Sequence, residues 1–504
     1  MVRRLFQVLA LSVVVAVPAA AQTAADLSAG AVRSADRQPA LASRVAQRPD
    51  ATEADRPVTF TKDIAPILQR SCQQCHRPAS IAPMSLLTYE QARPYARAMK
   101  MRTTLARFQY GREAMPPWFI EKNIGIQKFK DDISLSDEEI ATIAKWADSG
   151  APEGDPKDLP PPLTFANAAD WTLGKPDLIV SSPDVHVKGI GPDWWGNPWP
   201  PQPIAITEDR YIASIEYKEV PEGDVAGQTG STVGALYLMH HATAGISGTG
   251  QADQVNVDAE AGESGLPIHE VGRNGDVFPE DAGRLLKAGS QIVWGNVHLH
   301  SPGVPGDRKA HLEIGIRLHP KGYKPKYESR AAGFGRSELE INANEAKQKV
   351  EAYWVAPQPV RLVNFEPHMH AAGVRMCLEA IYQRSIETLN CAGYDHNWVK
   401  NYLYDENAAP LLPKGTILKA TAWFDTTARN ANISEPRNAL GWGRRSGSNM
   451  FIAFEQMVFL TDEQYQEQLA KRRDYLDRTQ GWNTLVGCPG CWLRPVPAPP
   501  TATP

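Results

Sequence analysis

The chain of 504 residues is long enough for about three domains. Its formal net charge of −4, from 53 basic and 57 acidic side chains, argues against nucleic acid as a partner. Its six cysteines form an even set, which suits an oxidising compartment.

The first residues have the pattern of a secretory signal. Two arginines precede an apolar run, and three alanines stand directly before Gln22. This pattern predicts a cleavable signal peptide over residues 1–21 and export to the periplasm by the general secretory route. Residues 22–57 lack periodicity and predict a flexible leader. No later stretch is long and apolar enough to cross a bilayer, so we expect a periplasmic protein without a membrane span.

The motif Cys72-Gln-Gln-Cys75-His76 comes next along the chain. In this pattern the two thiols bond covalently to a haem, and the adjacent histidine becomes an axial iron ligand. We favour Met115 as the second axial ligand, because the two prolines after it fix an extended loop. A histidine–methionine pair raises the reduction potential, which suits an electron relay. The competing candidates are Met84, Met99 and Met101.

Residues 58–153 have helical patterning and predict an all-α cytochrome c domain. Their last helix begins with the capping sequence Ser136-Asp-Glu-Glu139, continues with apolar residues at helical spacing and stops at Gly150. A proline-rich linker, placed at 154–170, separates this domain from the rest of the chain.

From Trp171 onward, short strands alternate with Gly, Pro and Asn turns, a texture typical of β-sandwiches. The length suits two such domains, at 171–335 and 336–475, followed by a tail over 476–504. The predicted fold class is therefore multidomain, with an all-α cytochrome c domain followed by two all-β, jelly-roll-like sandwiches. The cysteines outside the haem motif pair naturally as Cys377 with Cys391 and Cys488 with Cys491, although the second pair would alternatively bind metal.

Six of the twelve histidines fall into three close pairs, namely His240-His241, His298-Leu-His300 and His368-Met-His370. Residues i and i+2 of a strand share a face, so His368 and His370 can both reach one metal. Adjacent His240 and His241 point to opposite faces of a regular strand, so they can serve one metal only if the backbone is bulged or the strand ends there. The isolated histidines are interpreted as ordinary polar residues: His186, His269, His311, His319 and His396. A pocket lining is one interpretation of Trp194, Trp195, Trp199 and the run Asp395-His396-Asn397-Trp398, and we favour the alternative that they are packing and turn residues.

A methionine decides which metal the last histidine pair prefers. Imidazole alone suits Cu, Zn, Fe and Ni, whereas an added thioether favours copper, Cu(I) in particular. Met450 and Met457 lie on one predicted strand at odd separation, so only one of them can face His368 and His370.

These motifs together resemble the type II copper, ascorbate-dependent monooxygenases, which include peptidylglycine-hydroxylating and dopamine β-hydroxylating enzymes. The resemblance covers roughly residues 171–462, with the motifs in the family order. It implies an electron-transfer copper held by His240, His241 and His298. It also implies an oxygen-activating, catalytic copper held by His368, His370 and Met450. Met450, at the end of Gly441-Trp-Gly-Arg-Arg-Ser-Gly-Ser-Asn-Met450, matches the family methionine better than Met457 does.

Two positions depart from the animal peptide hydroxylase. Glu366 stands where that enzyme has an arginine for a substrate carboxylate, and Phe454 stands where it has a tyrosine near substrate. An unpaired anion facing a carboxylate is penalised. We therefore expect an amine or a neutral molecule rather than a glycine-extended peptide.

The resemblance and the haem motif together predict a periplasmic copper monooxygenase with one haem c and two copper ions. It would hydroxylate a C–H bond of a small molecule with O2. Electrons from an ascorbate-like reductant or a redox protein would pass through the fused haem, and substrate would enter a solvated cleft between the sandwiches. The main alternative is a non-catalytic haem and copper protein for electron transfer or copper handling. A second alternative reverses the flow, so that the haem accepts electrons from a copper-catalysed oxidation.

Overall fold

The computed structural model describes residues 56–493 apart from 79, 81, 106–113, 166–170, 198, 223–237, 249–253, 257–263, 271–274, 302, 304 and 444. The predicted signal peptide, nearly all of the predicted leader and residues 494–504 of the predicted tail lie outside the described residues. The described residues from Pro57 onward belong to one compact unit. Within the described part of the chain, no helix has the length and apolar content to cross a lipid bilayer.

Most of the helices are short, and most of them precede the strands. They are a π-helical turn at Phe60–Ile64, α1 Ala65–Ser71, α2 Tyr89–Ala92, α3 Ala96–Leu105, α4 Asp137–Asp148, α5 Asp462–Thr479 and α6 Pro489–Trp492, with 3-10 turns at Arg93–Tyr95, Pro156–Asp158 and Gly481–Thr484. The capping box predicted at Ser136 is present, because the Ser136 hydroxyl accepts from the amide of Glu139 and the Glu139 carboxylate accepts from the amide of Ser136.

The strands form two sandwiches in succession. The earlier strands are β1 Leu178–Ser181, β2 Val185–Val187, β3 Trp194–Gly196, β4 Gln202–Pro203, β5 Arg210–Pro221, β6 Met239–Ser247, β7 Gln254–Asn256, β8 Ser264–Gly265, β9 His269–Glu270, β10 Gly275–Val277, β11 Arg284–Leu286, β12 Gln291–Leu299 and β13 Arg308–Leu318. The later strands are β14 Glu328–Gly335, β15 Gln348–Val355, β16 Val360–Leu362, β17 Asn364–Met369, β18 Gly373–Tyr382, β19 Ser385–Gly393, β20 Tyr402–Leu403, β21 Leu411–Leu412, β22 Ile417–Phe424 and β23 Phe451–Phe459.

Each sandwich consists of two facing sheets with its own apolar core. In the first sandwich the sheet β1-β13-β5-β10, with β2 and β11 at its sides, faces the sheet β3-β12-β6-β8, to which β4 and β9 add. In the second sandwich the sheet β20-β17-β23-β14-β7, with β16 and β21, faces the sheet β15-β22-β18-β19. Successive side chains of a strand point to opposite faces, so apolar residues at every second position build one core. Ala310, Leu312 and Ile314 of β13, for example, all point into the first core. Burying each large aliphatic side chain contributes about 1.5–3 kcal/mol.

Strand β17 is buried along its whole length, and this positions the site described below. Its residues Phe365 and Met369 belong to the second core. Its other face carries Glu366 and His368, which are also buried. A strand that is covered on both faces holds its side chains in fixed directions.

The predicted fold class is wrong in its first part, since no all-α cytochrome domain is present in the described residues. Strands account for 34% of the structure and helices for 18%. Residues 114–136 form no helix, and Trp118, Ile120 and Phe129 are buried in the core of the second sandwich. Ile120 pairs with Ala392 of β19, so this stretch adds to the edge of a sheet. The sequence analysis extended the helical pattern of both ends of 58–153 across this apolar middle.

A glycine permits the close approach of this stretch to the second sandwich. Gly125 has a φ of +63°, and a Cβ placed on it would lie 2.0 Å from the carbonyl oxygen of Leu389 in β19. The next amide, that of Ile126, donates to this same carbonyl at 2.8 Å. A side chain at position 125 would separate the two backbones.

Both predicted cysteine pairs are confirmed as disulfides. Cys377 and Cys391 lie directly opposite each other on β18 and β19, and Cys488 pairs with Cys491 at the start of α6. Cys72 and Cys75 are not disulfide-bonded.

Candidate metal centre

The first histidine cluster lies on the paired strands β6 and β12. His241 is opposite His298, and the next pair is Met239 with Leu299, so His240 is an extra residue on β6. This is the bulge that adjacent histidines need in order to serve one metal. Ligand nitrogens of His240, His241 and His298 lie within 4.8 Å of one another, so this cluster can hold a metal ion.

Asp193, just before β3, fixes the ring of His298. Its Oδ2 accepts from Nε2 of His298 at 2.9 Å and from Nδ1 of His300 at 3.2 Å, and its Oδ1 accepts from the Ser301 amide at 3.0 Å. Trp195 stacks on the His298 ring with a centroid separation of 4.4 Å. Because Nε2 of His298 donates its hydrogen bond to the carboxylate, Nδ1 is the ring nitrogen that remains for a metal. Asp193, His298 and His300 also lie close enough together to hold a metal ion. The hydrogen bonds among them, however, occupy the atoms that would bind it.

The second cluster lies at the end of β17. His368 is opposite Ile452 of β23, and continuing this register by two residues places His370 opposite Met450. The rings of His368 and His370 have centroids 5.6 Å apart. Met457 instead is fully buried in the core of the second sandwich, opposite Leu362 of β16. Of the two methionines, the strand register therefore associates Met450 with the histidine pair.

The two rings of the second cluster differ at Nδ1. Nδ1 of His370 donates to the carbonyl of Ser448 at 3.2 Å, which leaves its Nε2 available to a metal. Nδ1 of His368 lies 3.1 Å from Oε1 of Glu270 but makes no hydrogen bond among the described residues. Glu270 lies on β9 of the first sandwich, directly opposite His241. Its contact with His368 therefore joins the two clusters across the boundary between the sandwiches.

His396, in the loop after β19, lies between the two clusters. Its ring centroid is 5.1 Å from that of His240 and 5.8 Å from that of His370. The sequence indicated an ordinary polar residue at position 396, and the fold places this ring beside one histidine of each cluster. We call this set the histidine array: His240, His241, His298, His368, His370 and His396.

Burial lowers the pKa of five histidines of the array, namely His240, His241, His298, His370 and His396. Burial, reinforced by neighbouring imidazoles, lowers the pKa of His240 to about 3 and that of His370 to about 3. The same causes hold the pKa of His241 and His396 well below its ordinary value. Neutral imidazole is the form that binds metals. Nδ1 of His240 is buried without a hydrogen-bond partner in the described protein, as expected of a ring that awaits a metal.

The two positions that depart from the animal enzyme lie beside this site. Glu366 is opposite Phe454 in the pairing of β17 with β23, two residues before His368. The Phe454 ring is 5.4 Å from the His368 ring. Both side chains therefore lie on the face of the sheet that carries the second cluster.

The haem motif directly follows α1, which ends at Ser71. The amides of Cys75 and His76 donate to the carbonyl of Cys72 at 3.2 and 2.9 Å, which folds the motif into one turn. Nδ1 of His76 donates to the carbonyl of Met84 at 3.3 Å, and this leaves Nε2 for iron. The three residues fit covalent haem binding. The carbonyl of Met84 faces Nδ1 of His76, the ring nitrogen that is not left for iron. Met115 is 37% exposed in its loop and stays the predicted second ligand.

The segment after the haem motif is fixed to the second sandwich by a buried ion pair. Both carboxylate oxygens of Glu121 accept from the Arg375 guanidinium of β18, one of them at 2.8 Å. The Lys400 ammonium lies 5.7 Å from the centre of the Trp118 ring. Burial raises the pKa of the Cys75 thiol, and the charge of Lys400 partly offsets this rise. The haem motif is therefore close to the sandwich that carries the second histidine cluster.

Three residues beside the histidine pairs were not predicted as site residues from the sequence, namely Asp193, Glu270 and His396. Asp193 precedes the two tryptophans of β3, and His396 lies in the Asp-His-Asn-Trp run. These neighbouring aromatic and polar residues were the available signal. Glu270 stands alone beside His269 in a two-residue strand and has no local signal.

Comparisons with known proteins give no functional information. No protein-family model matches the chain, and no curated protein matches it. Weak partial similarities to solved structures involve infectious bursal disease virus. A chain in the crystal structure of its T13 particle is 11% identical, with 59% of the present chain and 72% of the viral chain covered and a TM-score of 0.17. Its Gx strain is 11% identical over 59% and 74%, with a TM-score of 0.15. TM-scores this low support no inference about fold or function.

Proposed function

We propose that this chain is a periplasmic oxidoreductase that binds one haem c and two copper ions and hydroxylates a C–H bond of a small molecule with O2. One observation carries the proposal. Three histidines of the first sandwich have ligand nitrogens within 4.8 Å, and they meet a His-x-His pair of the second sandwich whose register leads to a methionine. These are the two ligand sets that the resemblance to type II copper monooxygenases implies.

The donor atoms fit copper. Burial lowers the pKa of His240 and His370 to about 3, which favours the neutral imidazole that binds metals, and Met450 adds a soft thioether that favours Cu(I). Asp193 orients His298, and Glu270 lies against His368, so that side chains outside the ligand sets hold the rings in place. Copper at the two sets would supply one-electron transfer at the three-histidine set and O2 activation at the set with methionine.

Glu366 and Phe454 supply the recognition of substrate in this proposal. Glu366 is a buried carboxyl next to His368, and Phe454 presents an aromatic ring to the same histidine. A carboxylate attracts an ammonium group and repels an anion, and the ring packs against apolar carbon. A small amine with an aromatic or aliphatic body is the substrate class that these two side chains favour.

The docking of the haem segment supports electron delivery in cis. The Glu121–Arg375 ion pair and the pairing of Ile120 with Ala392 fix the chain after Cys72-Gln-Gln-Cys75-His76 to the second sandwich. Electrons from an ascorbate-like reductant or a periplasmic redox protein would enter through the haem. A fixed mutual placement of the two redox sites keeps the transfer distance constant.

Burial of the array favours a second candidate function, electron transfer or copper handling without turnover. Four of the six histidines of the array are buried, with His298 and His370 each only 3% exposed, whereas His240 and His241 are partly exposed. The sequence analysis expected a solvated cleft in this region. An enclosed metal pair suits electron storage, whereas hydroxylation needs substrate access beside His368.

Isotope incorporation distinguishes the two functions. The haem- and copper-loaded protein is incubated with reductant, 18O2 and a panel of small amines and neutral molecules, and products are measured by mass spectrometry. Hydroxylation predicts a product with one 18O atom that is lost in His368→Ala and kept in His186→Ala, which changes an exposed histidine of β2. A fully loaded protein that yields no labelled product while its haem and copper exchange electrons would establish the second function.

A further inference from the structure

The bulge at His240 moves the start of β6 out of register with β12. His298 is opposite His241, and the next pair on the two strands is Leu299 with Met239. The extra residue of a bulge is left unpaired, and the hydrogen-bond ladder around it is disrupted. Backbone amides beside the bulge therefore need acceptors from outside the ladder.

Glu219 supplies these acceptors to the two residues before the bulge. It lies on β5, in the sheet that faces β6. One of its carboxylate oxygens accepts from the amide of Leu238 at 2.6 Å, and the other accepts from the amide of Met239 at 3.1 Å. The carbonyl of Leu238 accepts from the His300 amide at 2.7 Å, and that of Met239 accepts from Nε2 of His269 at 3.2 Å. All four backbone polar groups of Leu238 and Met239 are thus held, and Glu219 holds both of the donors.

The direction of the His240 ring depends on this bulge. A regular strand turns adjacent side chains to opposite faces, so only the bulge lets His240 and His241 serve one metal. The His240 ring centroid lies 4.8 Å from that of His298 and 6.2 Å from that of His241. Because Met239 directly precedes His240, the backbone at Met239 sets the direction in which the His240 ring enters the cluster.

We propose that Glu219 is a positioning residue of the three-histidine set, because its carboxylate maintains the bulge that brings the His240 ring to the other two. The proposal rests on the metal site of the proposed function and adds a residue that the resemblance does not imply. Glu219 acts on the ring through the backbone, since its two oxygens accept from the amides of Leu238 and Met239. A carboxylate suits this task, because an ionised acceptor makes stronger hydrogen bonds than a neutral one.

Glu216 offers a matched control on the same strand. Like Glu219, it accepts from two consecutive amides of another segment. One of its oxygens accepts from the amide and the hydroxyl of Thr172 at 2.8 and 2.9 Å, and the other accepts from the amide of Leu173 at 2.8 Å. Thr172 and Leu173 precede β1 and are not next to any histidine in sequence. Loss of the Glu216 carboxylate therefore affects stability without changing the bulge at His240.

Glu219→Gln in the copper-loaded full chain tests the proposal. Glutamine has one oxygen, so its amide group faces one of the two backbone N–H groups and cannot accept from it. Loss of water from its carboxyl raises the pKa of Glu219 to about 7, so measurement at pH 8 keeps the native carboxyl mainly ionised. The change is combined with His368→Ala, so that the three-histidine set alone binds copper. Chelator competition and electron paramagnetic resonance then report on this one Cu(II) ion without an activity assay.

The expected result is a change in both readouts. Glu219→Gln should weaken copper binding about 10–100-fold, the range for losing a group that orients a metal-binding histidine. It should also alter the g and hyperfine values of the copper spectrum, because the His240 ring changes its direction. Glu216→Gln in the same background should keep the affinity and the spectrum.

The copper content of His368→Ala separates this proposal from the proposed function. One copper ion whose affinity and spectrum do not respond to Glu219→Gln would overturn the role of Glu219 and leave the copper site in place. Equal changes in Glu216→Gln would also overturn that role, because they would reflect a general loss of stability. No copper in His368→Ala would overturn both proposals. If Glu219→Gln does not fold, Glu219→Asp decides by the same two readouts, because aspartate keeps both oxygens on a side chain too short to reach both amides.

Discussion

Replacing Asp193 with asparagine tests whether a carboxylate selects the ligand nitrogen of His298. In the structure one oxygen of Asp193 accepts from His298 and His300, and the other accepts from the Ser301 amide. Asparagine has a single oxygen. If that oxygen faces the histidines, the amide group of asparagine meets the N–H of Ser301, and if it faces Ser301, the amide group meets Nε2 of His298. In the second arrangement the ring proton moves to Nδ1, the atom that must bind metal.

The expected loss is confined to one of the two copper sites. Changing the partner of a metal-binding histidine typically weakens metal affinity by about 10–100-fold, which corresponds to about 1.4–2.7 kcal/mol. Asp193→Asn should therefore weaken the binding of one copper ion by this factor and leave the copper affinity at His368 and His370 unchanged. Competition with a chelator of known copper affinity measures both sites.

A second aspartate–histidine pair gives the matched control. Asp184 lies 3.4 Å from His311 at the edge of the first sandwich, outside the histidine array. Asp184→Asn should leave both copper affinities unchanged. Equal copper affinities in Asp193→Asn and the unmutated protein would refute the role given to Asp193.

Three further predictions concern the methionine, the haem segment and pH. Met450→Leu should weaken Cu(I) binding at one site at least tenfold, whereas Met457→Leu should leave copper binding unchanged and alter stability by less than about 1.5 kcal/mol; Cu(I) titration of both variants checks this. Glu121→Gln breaks a buried ion pair and should lower the free energy of unfolding by about 3 kcal/mol in urea denaturation, and an unchanged value would contradict the docking described above. In the metal-free protein the pKa of His240 and His370 is about 3 against an ordinary 6.5, so between these values the unfolded chain binds more protons and stability falls as pH falls. Denaturation at pH 7 and pH 5 should differ by about 2 kcal/mol for each histidine, and a pH-independent midpoint would contradict their burial in neutral form.

Local sequence rules grouped the candidate ligand histidines but did not predict their surroundings. The period of a strand put His368 and His370 on one face, and the need for a bulge at His240 followed from two adjacent histidines. Asp193 is 105 residues from His298, and Glu270 contacts His368 from the other sandwich. Contacts of this kind depend on how the sheets pack, and periodicity has no information on that.

The error in the fold class has a similar origin. Ile120 and Phe129 are apolar residues between helices, and their partners Ala392 and Tyr404 lie in the second sandwich. Within the segment their spacing is compatible with a small helical domain, and only the partners reveal an added edge of the sheet. The cysteine pairs were predictable because each lies within a short stretch that a turn closes.

The ratio of copper to haem tests the central claim most directly. The full chain is purified with its haem attached and reconstituted with copper, and copper is then measured against haem. The account predicts two copper ions per haem, falling to one in His368→Ala. Zero or one copper ion per haem in the unmutated protein would contradict the two-site account.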